Sequence, residues 1–181
     1  MGEEKMTQAA EFQVRSMGPN SPATLDMGYV RWLLEARQRP AIRNALRRGA
    51  VEATADRAYP YLARFWLETP WLKTPLLLHA SSATTFTHIA QGGEVSLGRL
   101  ARTLVVRGVI TETTVGTRLL ALQTMSLVNA HRLIFGLLHA ADNERLPLDW
   151  ASAWETYRWW DQPDRKGRLR TRRNLLEHFY S

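Results

Sequence analysis

From Gly28 onward the apolar residues of this chain recur every three or four positions, and Val/Ile/Thr-rich stretches alternating between paired turn signals are missing. That pattern calls for helices and leaves strands without a sequence to build them. It predicts helices over about 28–38 (Val30, Leu33, Leu34 inward), from Pro40 to Gly49, and over 55–68 (Tyr61, Leu62, Phe65, Trp66), stopped by Pro70. Further helices are expected over 75–90, over 97–106 behind a Ser96 cap and over 111–123 behind Thr111. The last three are expected over 127–141, over 150–160 behind Asp149 and over 167–179. The fold class expected is all-α: two small helical bundles of about eight or nine helices with short loops. Residues 1–26, which hold Gly18-Pro19-Asn20-Ser21-Pro22 and no periodicity, read as a flexible N-terminal tail. An N-terminal helical subdomain over 27–108 and a C-terminal one over 109–181 follow.

The chain has 181 residues, enough to bury a core without staples, and no cysteine, which removes disulfides, thiolate catalysis and Cys-ligated zinc. Met1-Gly2-Glu3-Glu4-Lys5-Met6 lacks the apolar run of a signal peptide, and the apolar stretch at Leu133–Ala141 is half the length of a membrane span. The expectation is a cytoplasmic protein with no membrane association.

Charge carries the functional signal. The net charge is +7, and 21 of the 24 cations are arginine, whose planar fork grips phosphate with two hydrogen bonds. The excess gathers in three stretches, +5 over 31–64, +3 over 99–118 and +5 over 165–181. In the helix from Pro40, Ile42 and Leu46 point one way while Arg39, Arg43 and Arg47 form an adjoining ridge at i, i+4, i+8, with Arg48 next to it. Like charges at that spacing repel by roughly 0.2–0.5 kcal/mol per pair. They also crowd the end of the helix that its dipole already makes positive. A ridge that opposes its own helix points to an anionic partner, phosphate above all. Arg99 and Arg102 lie one turn apart behind Ser96, and Arg132 stands on an otherwise apolar helix. Lys166 and Arg168 belong to a run of six cations in nine residues, Arg165–Arg173. These nine residues (Arg39, Arg43, Arg47, Arg48, Arg99, Arg102, Arg132, Lys166, Arg168) are the candidate nucleic-acid contacts. Arg31, Arg37 and Arg64 read instead as solvated or paired with Glu35, Glu68 or their neighbours.

Catalytic and cofactor signatures do not emerge. The pairs His79/His88 and His131/His139 lack metal-ligand spacing and a carboxylate beside them, and read as partly buried or interfacial side chains. Gly92-Gly93 is an isolated pair, and no nucleotide-binding or nucleophile-elbow motif occurs. Catalytic, metal and cofactor sites are therefore expected to be absent. Trp150, Trp154, Trp159 and Trp160 crowd eleven residues of an acidic stretch, where core or protein interface is the expected role.

Several segments in order resemble the CasB family, the small subunit of Cascade, the type I-E CRISPR surveillance complex. Ala45-Leu46-Arg47-Arg48-Gly49 resembles its N-terminal arginine motif and Val95-Ser96-Leu97-Gly98-Arg99-Leu100 its central segment. Glu112 with Leu119-Leu120, then His131-Arg132-Leu133-Ile134, fit the helices that follow. Leu148-Asp149-Trp150 and Trp159-Trp160 fit its C-terminal pattern. The similarity spans about residues 28–181. Gly116 and Thr117 stand where relatives place bulkier or charged residues, and Leu175-Leu176 where a tryptophan is common.

The resemblance implies two helical bundles and a non-catalytic subunit that binds nucleic acid without reading its sequence. It implies a role in antiviral defence, steadying the R-loop and the displaced non-target strand. The implied partners are the backbone and large Cascade subunits, guide RNA, target DNA and a second copy of the chain. A purely structural bridging subunit, a free-standing basic DNA-binding protein and, against every motif, a hydrolase or nuclease are the alternatives.

Overall fold

The computed structural model describes residues 22–181, with side chains from Gly28 onward; most of the expected tail lies outside the described residues. Nine α-helices follow one another among the described residues: α1 (Pro22–Ala36), α2 (Pro40–Arg47), α3 (Tyr59–Leu62), α4 (Lys73–Thr85), α5 (Leu97–Val106), α6 (Glu112–Leu122), α7 (Leu127–Asn143), α8 (Trp150–Trp159) and α9 (Arg165–Tyr180). Four 3₁₀ segments, Arg48–Ala50, Glu52–Ala58, Ala63–Phe65 and Pro70–Leu72, join α2 to α4. No strand occurs among the described residues, where Gln91 and Leu148 form an isolated parallel bridge.

Three expected helices differ by more than two residues from those the periodicity predicts. α1 begins at Pro22, six residues before Gly28, because proline suits a first helical turn as well as a loop. The single helix expected over 55–68 is broken around α3. Pro60 has no N–H to return to Asp56, and the Asp56 carbonyl instead accepts from Tyr59 three residues on. α4 stops at Thr85 instead of reaching Ala90. The chain from Phe86 to Ile89 is held from outside: Arg37 donates to the carbonyls of Phe86, Thr87 and Ile89 (3.2, 2.9 and 3.1 Å), while the Asp142 carboxylate accepts from the amides of His88 and Ile89 (2.8 and 3.2 Å).

One contiguous core takes side chains from every helix, α1 to α9, among the described residues. α4 is its axis, buried from Pro75 to Thr84, with α2 on one side and α8 on another. Trp150, Trp154, Tyr157 and Trp160 of α8 and its C-cap are all buried there, the role expected of an aromatic cluster that can hide roughly 150–250 Å² per ring. α9 lies so closely against α5 that a Cβ on Gly98 would collide with the Leu175 carbonyl oxygen. Gly116 leaves room for the Tyr180 hydroxyl, 3.1 Å from where its Cβ would be.

Candidate nucleic-acid interface

The α2 ridge is built on a rigid seat. Leu46 is buried, Ile42 half-buried, and the turn that follows presses Gly49 against Leu77 of α4, where an added Cβ would approach the Leu77 side chain to 3.2 Å. The Ser81 hydroxyl donates to the Arg47 carbonyl (2.8 Å), and the Thr54 hydroxyl to the Arg48 carbonyl (3.0 Å). These contacts hold the backbone while the side chains of Arg39, Arg47 and Arg48 stay exposed and that of Arg43 half-exposed. Among the described residues no carboxylate lies within 4.0 Å of any of the four. They form a cationic surface with no counter-charge of its own.

The second group is partly committed within the protein. Ser96 caps α5 by accepting from the Arg99 amide (3.4 Å), and the Arg99 guanidinium folds back onto the Glu94 carbonyl (3.0 Å). Glu94 holds that position with a left-handed φ of 61°. Arg102 is ion-paired with Glu112 across the α5–α6 turn (3.3 Å). Arg132 points out from α7, exposed and unpaired among the described residues.

The C-terminal run divides by helical phase. The Asp164 carboxylate caps α9, accepting from the amides of Lys166 and Gly167 (3.2 and 2.8 Å). Leu175 and Phe179 face inward, and Arg172 turns inward beside them. Its guanidinium donates to the carbonyls of Gln123 (2.6 Å) and Trp160 (3.3 Å) and pairs with Asp161 (3.1 Å). Asp161 in turn accepts from the Leu127 amide at the start of α7 (2.6 Å). Arg168 is half-buried on the same flank, whereas Lys166 is exposed on the opposite face. Three exposed cations that the sequence reading did not select, Arg165, Arg170 and Arg173, accompany Lys166. The phase of the run relative to Leu175 and Phe179 sets Arg170 and Arg173 apart from Arg172, whereas Arg165, two turns before Arg172, shares its side of the helix and is exposed at the helix start.

Two other arginines differ from expectation. Arg37 is 5 % exposed and serves the carbonyl end of α4, where a cation also meets the negative end of the helix dipole. Burial lowers its pKa, and the nearby Asp142 charge opposes that shift. Arg64 stacks over Trp32 and Phe65 at 5.0 and 4.6 Å from the ring centres. Arg31 is exposed, as expected.

The histidines at the centre of the fold read as structural. His79 is fully buried, with Nε2 donating to the Trp150 carbonyl (3.1 Å) and Nδ1 accepting from the Tyr29 hydroxyl (3.0 Å). This tautomer follows from a carbonyl that can only accept. Burial drives its pKa down to about 3, against the opposing pull of the Trp150 carbonyl. His131, hydrogen-bonded to the Tyr157 hydroxyl (3.1 Å), is lowered to about 4 by burial. The same hydroxyl meets Ser82 (3.1 Å), and burial raises the Tyr157 pKa. Among the described residues no group of three or more His, Cys, Asp or Glu is placed to hold a metal ion. No helix among them is long and apolar enough to cross a membrane.

Comparison with known proteins follows the helices. The sequence model of the family "CRISPR-associated protein Cse2" matches residues 43–180. The fold is similar to a CRISPR-associated protein of the Cse2 family from Thermus thermophilus (TM-score 0.67, 18 % identity, covering 86 % of this chain and 97 % of that one). It is also similar to a structure of CasB from Thermus thermophilus (0.67, 19 %, 88 % and 98 %). A chain of a CRISPR RNA-guided surveillance complex is similar to the same degree (0.69, 17 %, 86 % and 91 %). No curated protein sequence matches this one. A family match over most of the chain, on a fold of the same helices, means that this chain belongs to the Cse2 family, the CasB family its motifs resemble.

Proposed function

We propose that this chain is the non-catalytic small subunit of an RNA-guided type I-E Cascade complex in the cytoplasm. In this reading it grips nucleic acid through phosphates, without reading sequence, and steadies the R-loop by holding the displaced non-target strand. The observation that carries the proposal is the α2 ridge: four guanidinium groups on a braced backbone with no carboxylate within 4.0 Å among the described residues. No carboxylate among those residues pairs with them, and a polyanion would supply the missing counter-charge. R-loop formation is nearly balanced energetically, so backbone contacts that ignore sequence are enough to tip it.

Arg39, Arg43, Arg47 and Arg48 form the primary contact and Arg132 a further one. Arg99, Arg102, Lys166 and Arg168 complete the set, with Arg102 reaching a phosphate only by releasing Glu112. The partners are the backbone and large subunits, guide RNA, target DNA and a second copy of the chain. A two-bundle organisation with its break near Gly108, the left-handed residue (φ 72°) between α5 and α6, belongs to the same reading.

The double charge reversal R47E/R48E tests it. Both side chains are exposed and make no ion pair among the described residues, so the fold and thermal midpoint stay unchanged while R-loop retention by the assembled complex weakens. Normal retention by the folded variant contradicts the ridge assignment and favours a purely bridging subunit.

A further inference from the structure

A groove of about 460 Å³ runs between the start of α5, the outer side of α8 and α9. Its walls carry the side chains of Ser152, Thr156, Thr171, Asn174, Gln162 and His178, a set of short hydrogen-bonding groups. Arg170 and Asn174 also belong to a second, shallower depression on the outside of α9, shared with Lys166 and Arg173. The groove therefore opens onto a cationic face. On that face Lys166, Arg170 and Arg173 follow one another at i, i+4, i+7, opposite the buried Leu175 and Phe179, so that each stands about one 5.4 Å turn from the next. All three are exposed, and among the described residues none has a carboxylate within 4.0 Å. Glu177 at the far end of the depression, Glu155 in the groove and Asp164, whose carboxylate caps α9 beside Lys166, are carboxylates nearby.

We propose that this composite surface is a second nucleic-acid site, specific for a single strand. The phosphate backbone lies along Lys166, Arg170 and Arg173, and one nucleoside turns into the groove, where hydroxyl, amide and imidazole groups meet its sugar and base edges. The cations demand a polyanion by charge complementarity. The groove then selects the form of that polyanion. It is a cleft between helices, too small for a duplex, and only an unpaired nucleoside can leave the stack and enter it. Trp159 lines the groove with its ring already engaged by Arg158 (4.3 Å) and Trp71 (5.5 Å), and its indole N–H donates to Glu155 (2.8 Å). Recognition is therefore by hydrogen bonds at the nucleoside edge, which distinguishes this site from the α2 ridge.

The inference rests on the reading that the protein binds nucleic acid, and the test separates the two. Binding of the full chain to a deoxythymidine oligomer, a uridine oligomer and a duplex of equal length is measured by fluorescence anisotropy across roughly 50–200 mM salt. R170E/R173E is expected to weaken single-strand binding at least about 10-fold, and to flatten its salt dependence by about 1.4 in log–log slope, the share of two phosphates. Ser152→Trp, which fills the groove, is expected to weaken the single strands and leave the duplex alone. Photocrosslinks from a 5-iodouridine oligomer to α8 or α9 give the same answer without a variant. A difference between the two oligomers identifies which kind of strand the site takes.

R170E/R173E binding like the parent, while R47E/R48E loses affinity, overturns the second site and leaves the ridge. The reverse pattern overturns the ridge and upholds the groove. Equal binding of duplex and single strands, with Ser152→Trp without effect on either, overturns the nucleoside pocket. Absence of any binding at about 50 mM salt, where phosphate contacts are strongest, overturns both sites.

Discussion

Arg37 and Arg48 are the same residue type eleven positions apart in sequence, and their surroundings assign them opposite work. Arg48 is exposed and unpaired among the described residues; Arg37 is buried, with its guanidinium spent on three carbonyls. Arg37→Ala is accordingly expected to cost about 2–4 kcal/mol of unfolding free energy in urea, because three carbonyls lose a charged donor. The exposed Arg31→Ala should stay within about 0.5 kcal/mol. Equal effects would remove the structural role of Arg37. The sequence could not separate these arginines, because the partners of Arg37 lie 49–52 residues away. Arg172 likewise meets its Gln123 partner 49 residues away, although the phase of its own helix already placed it beside Leu175. The α2 ridge was readable because its spacing is local.

The buried histidines carry a pH dependence. With folded pKa values of about 3 for His79 and about 4 for His131, both below the ordinary 6.5, the unfolded chain binds more protons on acidification. Their contribution to stability is full above pH 6.5 and is lost as the pH falls toward 4. The loss approaches about 1.4 kcal/mol per pH unit for each histidine. Urea titrations at about pH 7, 6 and 5 should show this decline, and His131→Gln should reduce it; a flat profile contradicts the assignment.

Helix starts followed the sequence at three capping side chains, whereas α9 starts two residues earlier than expected, behind the Asp164 cap. Ser96, Thr111 and Asp149 cap α5, α6 and α8 as expected. The boundaries that moved furthest are those set by distant partners, such as the end of α4, or by a proline whose effect depends on its neighbours, such as Pro60. Two glycines make the packing of the helices measurable. Gly98→Ala places a Cβ against the Leu175 backbone and is expected to destabilise the protein by about 2 kcal/mol or more, through forced separation of α5 and α9. Gly136→Ala, in α7 with nothing within 4 Å of the added Cβ, is expected to stabilise it by about 0.5–1 kcal/mol. The two variants differ in sign, and thermal unfolding reads both. Similar shifts would mean that the α5–α9 contact is looser than described.

Among the described residues the largest aromatic side chains lie mostly inside and the cations mostly at the surface, and Arg37, Arg64, Arg158 and Arg172 meet rings where the two sets touch. Aromatic rings fill the interior around α4 and α8, and free arginine charge collects on α2, α7 and the outer face of α9. Composition announced the excess of positive charge, and periodicity announced helices. Neither could place the charges relative to one another, since that depends on which helices pack together. If about six or more phosphates are engaged, affinity for nucleic acid should fall at least about 10³-fold between 50 and 200 mM salt. An affinity indifferent to salt would contradict the electrostatic account.

Native mass spectrometry tests the central claim most directly. The chain is co-expressed with its candidate partner subunits and a guide RNA, and the purified particle is weighed intact. The account predicts a guide-bearing particle whose mass includes this chain as a stoichiometric subunit. A free monomer or homodimer, absent from every guide-bearing particle, would contradict it.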